Sequence, residues 1–261
     1  MKTLLPAAIS LALPLTLCAE APQPLFFFDF NTPGKVEANK GSDPASLVFR
    51  SADRQEADLH GPAGSGLTGA PTDLALDNST ATAMGKDGVG GLASVKTAQL
   101  SAHSFTVTGW IKAEGDRPVA DGARLVEMVS PAGGFFVFGD ASDGTLATII
   151  NSNSVPSEKD AYAAAGSWIF FAVSYDGGTQ TVVYYIGSPT EAVTEAGSKN
   201  VPAGVLADVK APLMLLNSGN FERPFKGWMD NFRLFTSEND SSGVLSLDQL
   251  EAIRQKDLGK K

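Results

Sequence analysis

The chain has 261 residues, 43% of them hydrophobic and 19% charged, and a formal net charge of −9. That acidic balance, with no Lys/Arg cluster to offset it, disfavours electrostatic capture of nucleic acid or anionic lipid, so no nucleic-acid partner is expected. A single cysteine, Cys18, and two separated histidines, His60 and His103, leave no disulfide, no thiolate site and no paired-histidine metal site to expect.

Met1-Lys2-Thr3 followed by the apolar run Leu4 to Leu17 has the layout of a secretory signal peptide. Pro6 and Pro14 interrupt the run, and it is shorter than the roughly 20 apolar residues of a membrane span, so no span is expected. Cleavage after Ala19 would leave a signal peptide over 1–19, a short linker over 20–24, one domain over 25–256 and a frayed tail over 257–261. The protein would then be secreted or periplasmic. Lipid anchoring at Cys18 is the alternative, disfavoured by Leu17 where a small residue would be required.

From Leu25 to Phe235, short runs of Val, Ile, Thr, Phe and Tyr are punctuated by Gly, Asp, Asn, Ser and Pro, which predicts strands joined by turns. In chain order the runs are Leu25 to Phe30, Leu47 to Arg50, Asp73 to Asp77, Ser104 to Lys112, Arg124 to Val129, Gly134 to Gly139 and Leu146 to Ile150. Trp168 to Tyr175 and Thr179 to Ile186 follow as a hairpin whose link, Asp176-Gly177-Gly178, is expected to supply positive φ. Pro212 to Leu216 and Trp228 to Phe235 complete the set, with surface loops at 61–71 and 84–91. One helix is predicted at the C-terminal end, where Ser246 and Gln249 form a capping box ahead of an apolar face of Leu247, Leu250 and Ile253. Many short strands and one helix predict an all-β, antiparallel two-sheet sandwich.

Two acids interrupt apolar runs: Asp29 in Leu25-Phe26-Phe27-Phe28-Asp29-Phe30, and Asp230 in Trp228-Met229-Asp230-Asn231-Phe232. Counting by twos puts Asp29 with Leu25 and Phe27, and Asp230 with Trp228, Phe232 and Leu234, on faces expected to be buried. A buried carboxylate costs several kcal/mol unless compensated, so a cation is expected nearby. It could be a metal, or Arg233, Arg50 or Arg124 in an ion-pair network.

Three segments carry a family resemblance. Ser104 to Lys112 ends a strand in Trp110-Ile111-Lys112, Gly166 to Gly177 reads G-x-W followed by A-V-x-Y-D-G, and Phe225 to Phe235 is similar to a pattern F-x-G-x-I-D-D-V-R-I-Y. In that order they resemble the LamG-like, concanavalin A-like jelly-roll domains of bacterial exported proteins, over roughly Leu25 to Gln255. The resemblance implies a jelly-roll with its first and last strands side by side, which would bring Asp29 and Asp230 together. With Asn231 or Asn31 and loop carbonyls they could then supply the six to eight oxygens of a Ca2+ site. Asn231 stands where the family has a second acid, which weakens that site, and Trp228 stands where the family has a smaller residue.

Of the three tryptophans, Trp110 is the candidate for stacking on a sugar, because it shares a face with Thr106 and Thr108 while Phe105, Val107 and Ile111 take the other. Trp168 and Trp228 read as core, and His60 and His103 as surface residues. The retaining-glycosidase arrangement E-x-D-x-x-E is absent; Glu114 with Asp116, Glu127, Glu191 and Glu195 are not paired that way. The expectation is a non-catalytic recognition module for an extracellular or periplasmic glycan. A surface adhesion module binding protein and a glycoside hydrolase on the same fold are the alternatives.

Overall fold

The computed structural model describes residues 20–82, 90–96, 98–114, 122–140, 145–157 and 166–260. The expected signal segment with Cys18, most of the predicted loop at 84–91 and the stretch containing Asp116 lie outside them.

Two antiparallel sheets dominate. One runs, in spatial order, β1 (Phe26–Phe28), β17 (Gly227–Ser237), β7 (Ser104–Ala113), β12 (Ile169–Asp176), β13 (Thr181–Gly187) and β14 (Thr194–Asn200), with β4 (Leu76–Asp77) beside the start of β17. The other runs β11 (Asn153–Pro156), β10 (Thr145–Ile150), β9 (Gly133–Asp140), β8 (Arg124–Ser130), β16 (Leu213–Leu215), β5 (Leu92–Val95), β3 (Ser46–Arg50) and β2 (Val36–Ala38). A two-stranded ribbon joins β6 (Gln99–Ala102) to β15 (Leu206–Lys210). The sandwich of the sequence reading is present, and its first and last strands pair, with Phe26 opposite Leu234 and Phe28 opposite Phe232.

The core between the sheets follows from alternation. Phe105, Val107 and Ile111 of β7 and Phe171, Val173 and Tyr175 of β12 point inward with Phe135 and Val137 of β9. Phe105 and Phe135 stack across the gap with ring centroids 4.6 Å apart, an offset contact that ties one sheet to the other. Burying this many aromatic side chains stabilises a domain that has no cysteine to cross-link it.

The β12–β13 hairpin forms, but not for the reason its glycines imply. Neither Gly177 nor Gly178 has positive φ; Gln180 does, at 56°. The glycines are needed for close approach, because a Cβ on Gly177 would lie 2.8 Å from the His103 carbonyl oxygen. Asp176 Oδ1 caps the turn by accepting from the Gly178 N–H at 2.8 Å.

The predicted helix is α1 (Leu247–Asp257), opened by the Ser246/Gln249 capping box. Leu250 and Ile253 are buried, while Leu247 is 44% exposed, so the inward face includes Arg254 in its place. Arg254 grips Glu251 with two 2.9 Å bonds, and Glu251 Oε2 in turn accepts from the Val193 N–H. That grip, with further hydrogen bonds, holds the Glu251 carboxyl at a pKa of about 2. The frayed tail expected over 257–261 is corrected in its first residues: Asp257 is buried and Leu258 packs against the domain.

Candidate functional site

The segment 237–258 crosses the outer face of the first sheet and decides which side chains there meet solvent. Ser104 Oγ donates to the Asp240 carbonyl oxygen at 2.6 Å and accepts from the Gly243 N–H at 2.9 Å. Thr106 Oγ1 donates to the Gly243 carbonyl oxygen and accepts from the Leu245 N–H. The polar face of β7 is therefore a docking bed for the chain's own backbone. Beneath α1 lies a second apolar cluster of Trp110, Phe170, Phe235, Leu245, Leu250 and Ile253.

Trp110 sits at the centre of this cluster with 0% exposure, its ring edge-on to Phe170 at 5.4 Å. Its indole N–H donates to Asp257 Oδ2 at 3.0 Å, and Arg233 holds the same carboxylate with bonds of 2.6 and 3.0 Å. Burial pushes the Asp257 pKa up in spite of Arg233 and Trp110, which pull it down. The alternation assigned to β7 is right; the platform role of Trp110 is not, because a fully covered ring offers no face to a sugar.

The two acids have separate fates. Asp29 lies just past β1, partly exposed, and pairs with Lys40 while accepting from the Asn31 N–H. Asp230 is fully buried, yet on the outer face, opposite Trp110 in the β17–β7 ladder. A β-bulge explains why it does not share a face with Phe232 and Leu234. Asn231 takes the left-handed conformation at φ 50°, the register slips between Asp230 and Arg233, and the inward series therefore reads Met229, Phe232, Leu234. Asn tolerates this backbone better than most residues, which is the one local sign of the bulge in the sequence.

Asp230 Oδ2 accepts from the Leu67 N–H at 2.8 Å, and Asn31 Oδ1 accepts from the Leu74 N–H at 2.7 Å. Together they pin the loop that covers this corner. Burial raises the Asp230 pKa well above the ordinary carboxylate value, more than the Leu67 bond lowers it. Its Oδ1 has no hydrogen-bond partner among the described residues. The arginines expected to compensate the acids are engaged elsewhere: Arg233 with Asp257, Arg50 with Glu56 and Arg124 with Glu127. Asn231 contributes its carbonyl oxygen to Arg233 at 3.1 Å. Among the described residues no three His, Cys, Asp or Glu side chains gather into a group that could hold a metal ion.

The exposed aromatic surface lies where the covering segment ends. Trp228 pairs with Lys112 across β17 and β7, and Trp168 immediately precedes β12 on the other side of β7. The Lys112 ammonium stands 4.4 Å from the Trp228 ring centroid and 4.9 Å from that of Trp168. Both indoles are partly exposed where their sequence context implies core, and Trp168 packs against the rim of the cluster beneath α1. Desolvation between the rings lowers the Lys112 pKa, against the opposing pull of Asp77 and Glu114. Beside Trp168 opens a groove of about 520 Å³ flanked by Ile186, Ser188 and Glu191. Two flat apolar faces, a cation with three donors and two carboxylate acceptors thus occupy one strip of surface.

His60 also departs from expectation: its side chain is only 3% exposed. Nδ1 lies 2.6 Å from Asp58 Oδ1, and Nε2 faces buried Glu37 Oε2 at 3.9 Å. Burial opposes the charge on His60, but the two carboxylates outweigh it and raise its pKa. Burial also raises the Glu37 pKa.

A sandwich of two antiparallel sheets with a docked C-terminal helix and an aromatic strip beside it defines a lectin-like β-sandwich domain. A family model described as the concanavalin A-like lectin/glucanases superfamily matches residues 87–242, more than half of the chain, and the chain belongs to that superfamily. No curated protein matches it significantly. Among solved structures it is similar to domain 4 of AbnA, a GH43 extracellular arabinanase from Geobacillus stearothermophilus, in complex with arabinotriose. The TM-score is 0.61 at 16% identity, over 90% of this chain and 100% of that one. It is also similar to the receptor binding domain of botulinum neurotoxin mosaic serotype C/D, with a TM-score of 0.55 at 10% identity, over 90% of this chain and 51% of that one. The Trypanosoma rangeli sialidase in complex with sialic acid gives 0.53 at 8% identity, over 90% of this chain and 33% of that one. At these identities the likeness is one of fold.

Proposed function

We propose that the domain is a non-catalytic carbohydrate-binding module of an exported protein, and that Trp228, Lys112 and Trp168 form its contact surface. The observation that carries this reading is the pair of partly exposed indoles flanking β7, Trp228 in β17 and Trp168 just before β12, with the Lys112 ammonium between them. Flat aromatic faces complement the C–H faces of sugar rings, and with β7 between them the two indoles stand two strand spacings, about 10 Å, apart, a span that a short run of sugar residues can bridge. Lys112 donates to ring or hydroxyl oxygens, while Asp77 and Glu114 accept from hydroxyls. The superfamily, and the arabinotriose held by the AbnA domain, support a glycan as the ligand class.

The test is affinity electrophoresis of the full chain on a panel of neutral polysaccharides, with Trp168→Ala and Trp228→Ala beside wild type. Each substitution is expected to weaken binding by about 2 kcal/mol, roughly 30-fold, with the melting temperature little changed because both rings are partly exposed. Binding to no glycan in the panel, or equal binding by both variants, would defeat the proposal. Release of reducing ends from any polymer would move the protein to the hydrolases.

A further inference from the structure

The outer face of the eight-stranded sheet carries a chemically different surface. Arg50 at the end of β3, Arg54 in the turn that follows and Lys96 just past β5 converge on an open groove of about 360 Å³. Its floor is a small apolar cluster of Leu92, Met214 and Phe221, apart from the main core. The Ser94 hydroxyl lies beside it, 3.4 Å from Arg50 Nη1.

The cations there are only partly compensated. Glu56 stands 3.7 Å from Arg50 and 4.0 Å from Lys96, so a single exposed carboxylate serves both. Arg54 lies over the Phe221 ring at 5.3 Å and donates one Nη2 bond to the Asn220 carbonyl oxygen. Among the described residues no carboxylate lies within ion-pair distance of it. The neighbouring acids Asp53 and Glu222 accept hydrogen bonds from Ser51 and Asn220 and do not line the groove, though they keep their charge. The groove lining itself carries three cations and no carboxylate, in a chain of net charge −9. A guanidinium held on an aromatic ring keeps its other N–H donors free in a fork that fits a carboxylate or sulfate.

We propose that this groove binds the anionic group of an acidic polysaccharide, a carboxylate or a sulfate ester, with Arg50, Arg54 and Lys96 facing the charge and Met214 lying under the apolar sugar face. The site is on the other sheet from the indole strip and stands whether or not that strip binds a neutral glycan.

The test is binding of the full chain to polygalacturonate, dextran sulfate and uncharged dextran, at low salt and at about 0.5 M salt. Wild type is expected to bind at least one polyanion and to bind uncharged dextran at least tenfold more weakly. High salt should weaken the polyanion complex by roughly tenfold or more. The double variant Arg54→Gln, Lys96→Gln, altered only at exposed positions, should lose about as much while keeping the wild-type melting temperature. Trp228→Ala should leave polyanion binding unchanged, which separates this groove from the indole strip. Preference between the two polymers distinguishes carboxylate from sulfate. Failure to bind either polyanion at low salt, or undiminished binding by a folded double variant, would overturn the proposal.

Discussion

The two outer faces of this sandwich are built from strands with the same inward and outward alternation, yet one is covered and the other open. On the seven-stranded sheet, Thr106, Thr108 and Trp110 point away from the inter-sheet core and are completely buried, because the 237–258 segment lies over them. On the eight-stranded sheet the outward residues Arg50, Arg124 and Phe136 stay partly exposed, with the Arg124 guanidinium 3.8 Å over the Phe136 ring. The difference teaches that a polar strand face does not by itself mean a binding face. Hydroxyls at strand spacing serve a covering backbone as well as they serve a ligand.

Removing one ion-pair acid from each face gives the sharpest contrast. Asp257→Ala strands the nearly buried Arg233 and the Trp110 indole N–H, and is expected to cost about 3–5 kcal/mol in urea unfolding. Glu127→Ala removes the partner of a more exposed Arg124 and is expected to cost under about 1 kcal/mol. Similar losses at the two sites would show that the covered face is no more tightly held than the open one.

A second, smaller effect comes from pH. The pKa of Asp230 is raised on folding, so its contribution favours the folded state at low pH and is lost as pH rises through that folded value. Asp230→Asn keeps an acceptor for the Leu67 N–H and removes the ionisation. Its melting temperature is expected to exceed wild type by a few degrees at pH 7, about 1 kcal/mol, and to match it near pH 3. A variant less stable than wild type at pH 7 would indicate that the carboxylate is compensated as an anion.

The smallest effect belongs to His60, whose folded pKa is also raised. Its stabilisation is complete below about pH 6.5 and declines as pH rises through the folded value. In His60→Gln, thermal melts from pH 6 to 8.5 should lose that part of the slope, worth under about 1 kcal/mol. An unchanged slope would place the proton uptake elsewhere.

Much of this architecture is legible in the sequence, and each exception has a physical cause. The β7 alternation, the hairpin and the Ser246/Gln249 cap are local signals and all three form, although the hairpin takes its positive φ at Gln180 and not at the expected glycines. The polar edge strands β14 and β2 escape notice because edges need little apolar alternation. Sequence context misplaces the tryptophans because cover is supplied from far along the chain: α1 hides Trp110 completely, whereas Trp168, at the rim of the same cluster, and Trp228 stay partly exposed. The bulge at Asn231 divides Asp230 from Phe232 with a single positive φ. Residues 50, 54 and 96 form no run in the sequence, and only the pairing of β3 with β5 gathers their charges.

Docking of the 237–258 segment also has a kinetic side. The Trp110 to Asp257 bond spans 147 positions and the Thr106 to Gly243 bond 137, so both close only after nearly all of the domain has been made. Loops of that size form slowly, and folding rate falls as such distant contacts accumulate. Until the helix arrives, Trp110, Phe170 and Phe235 are a greasy patch open to water.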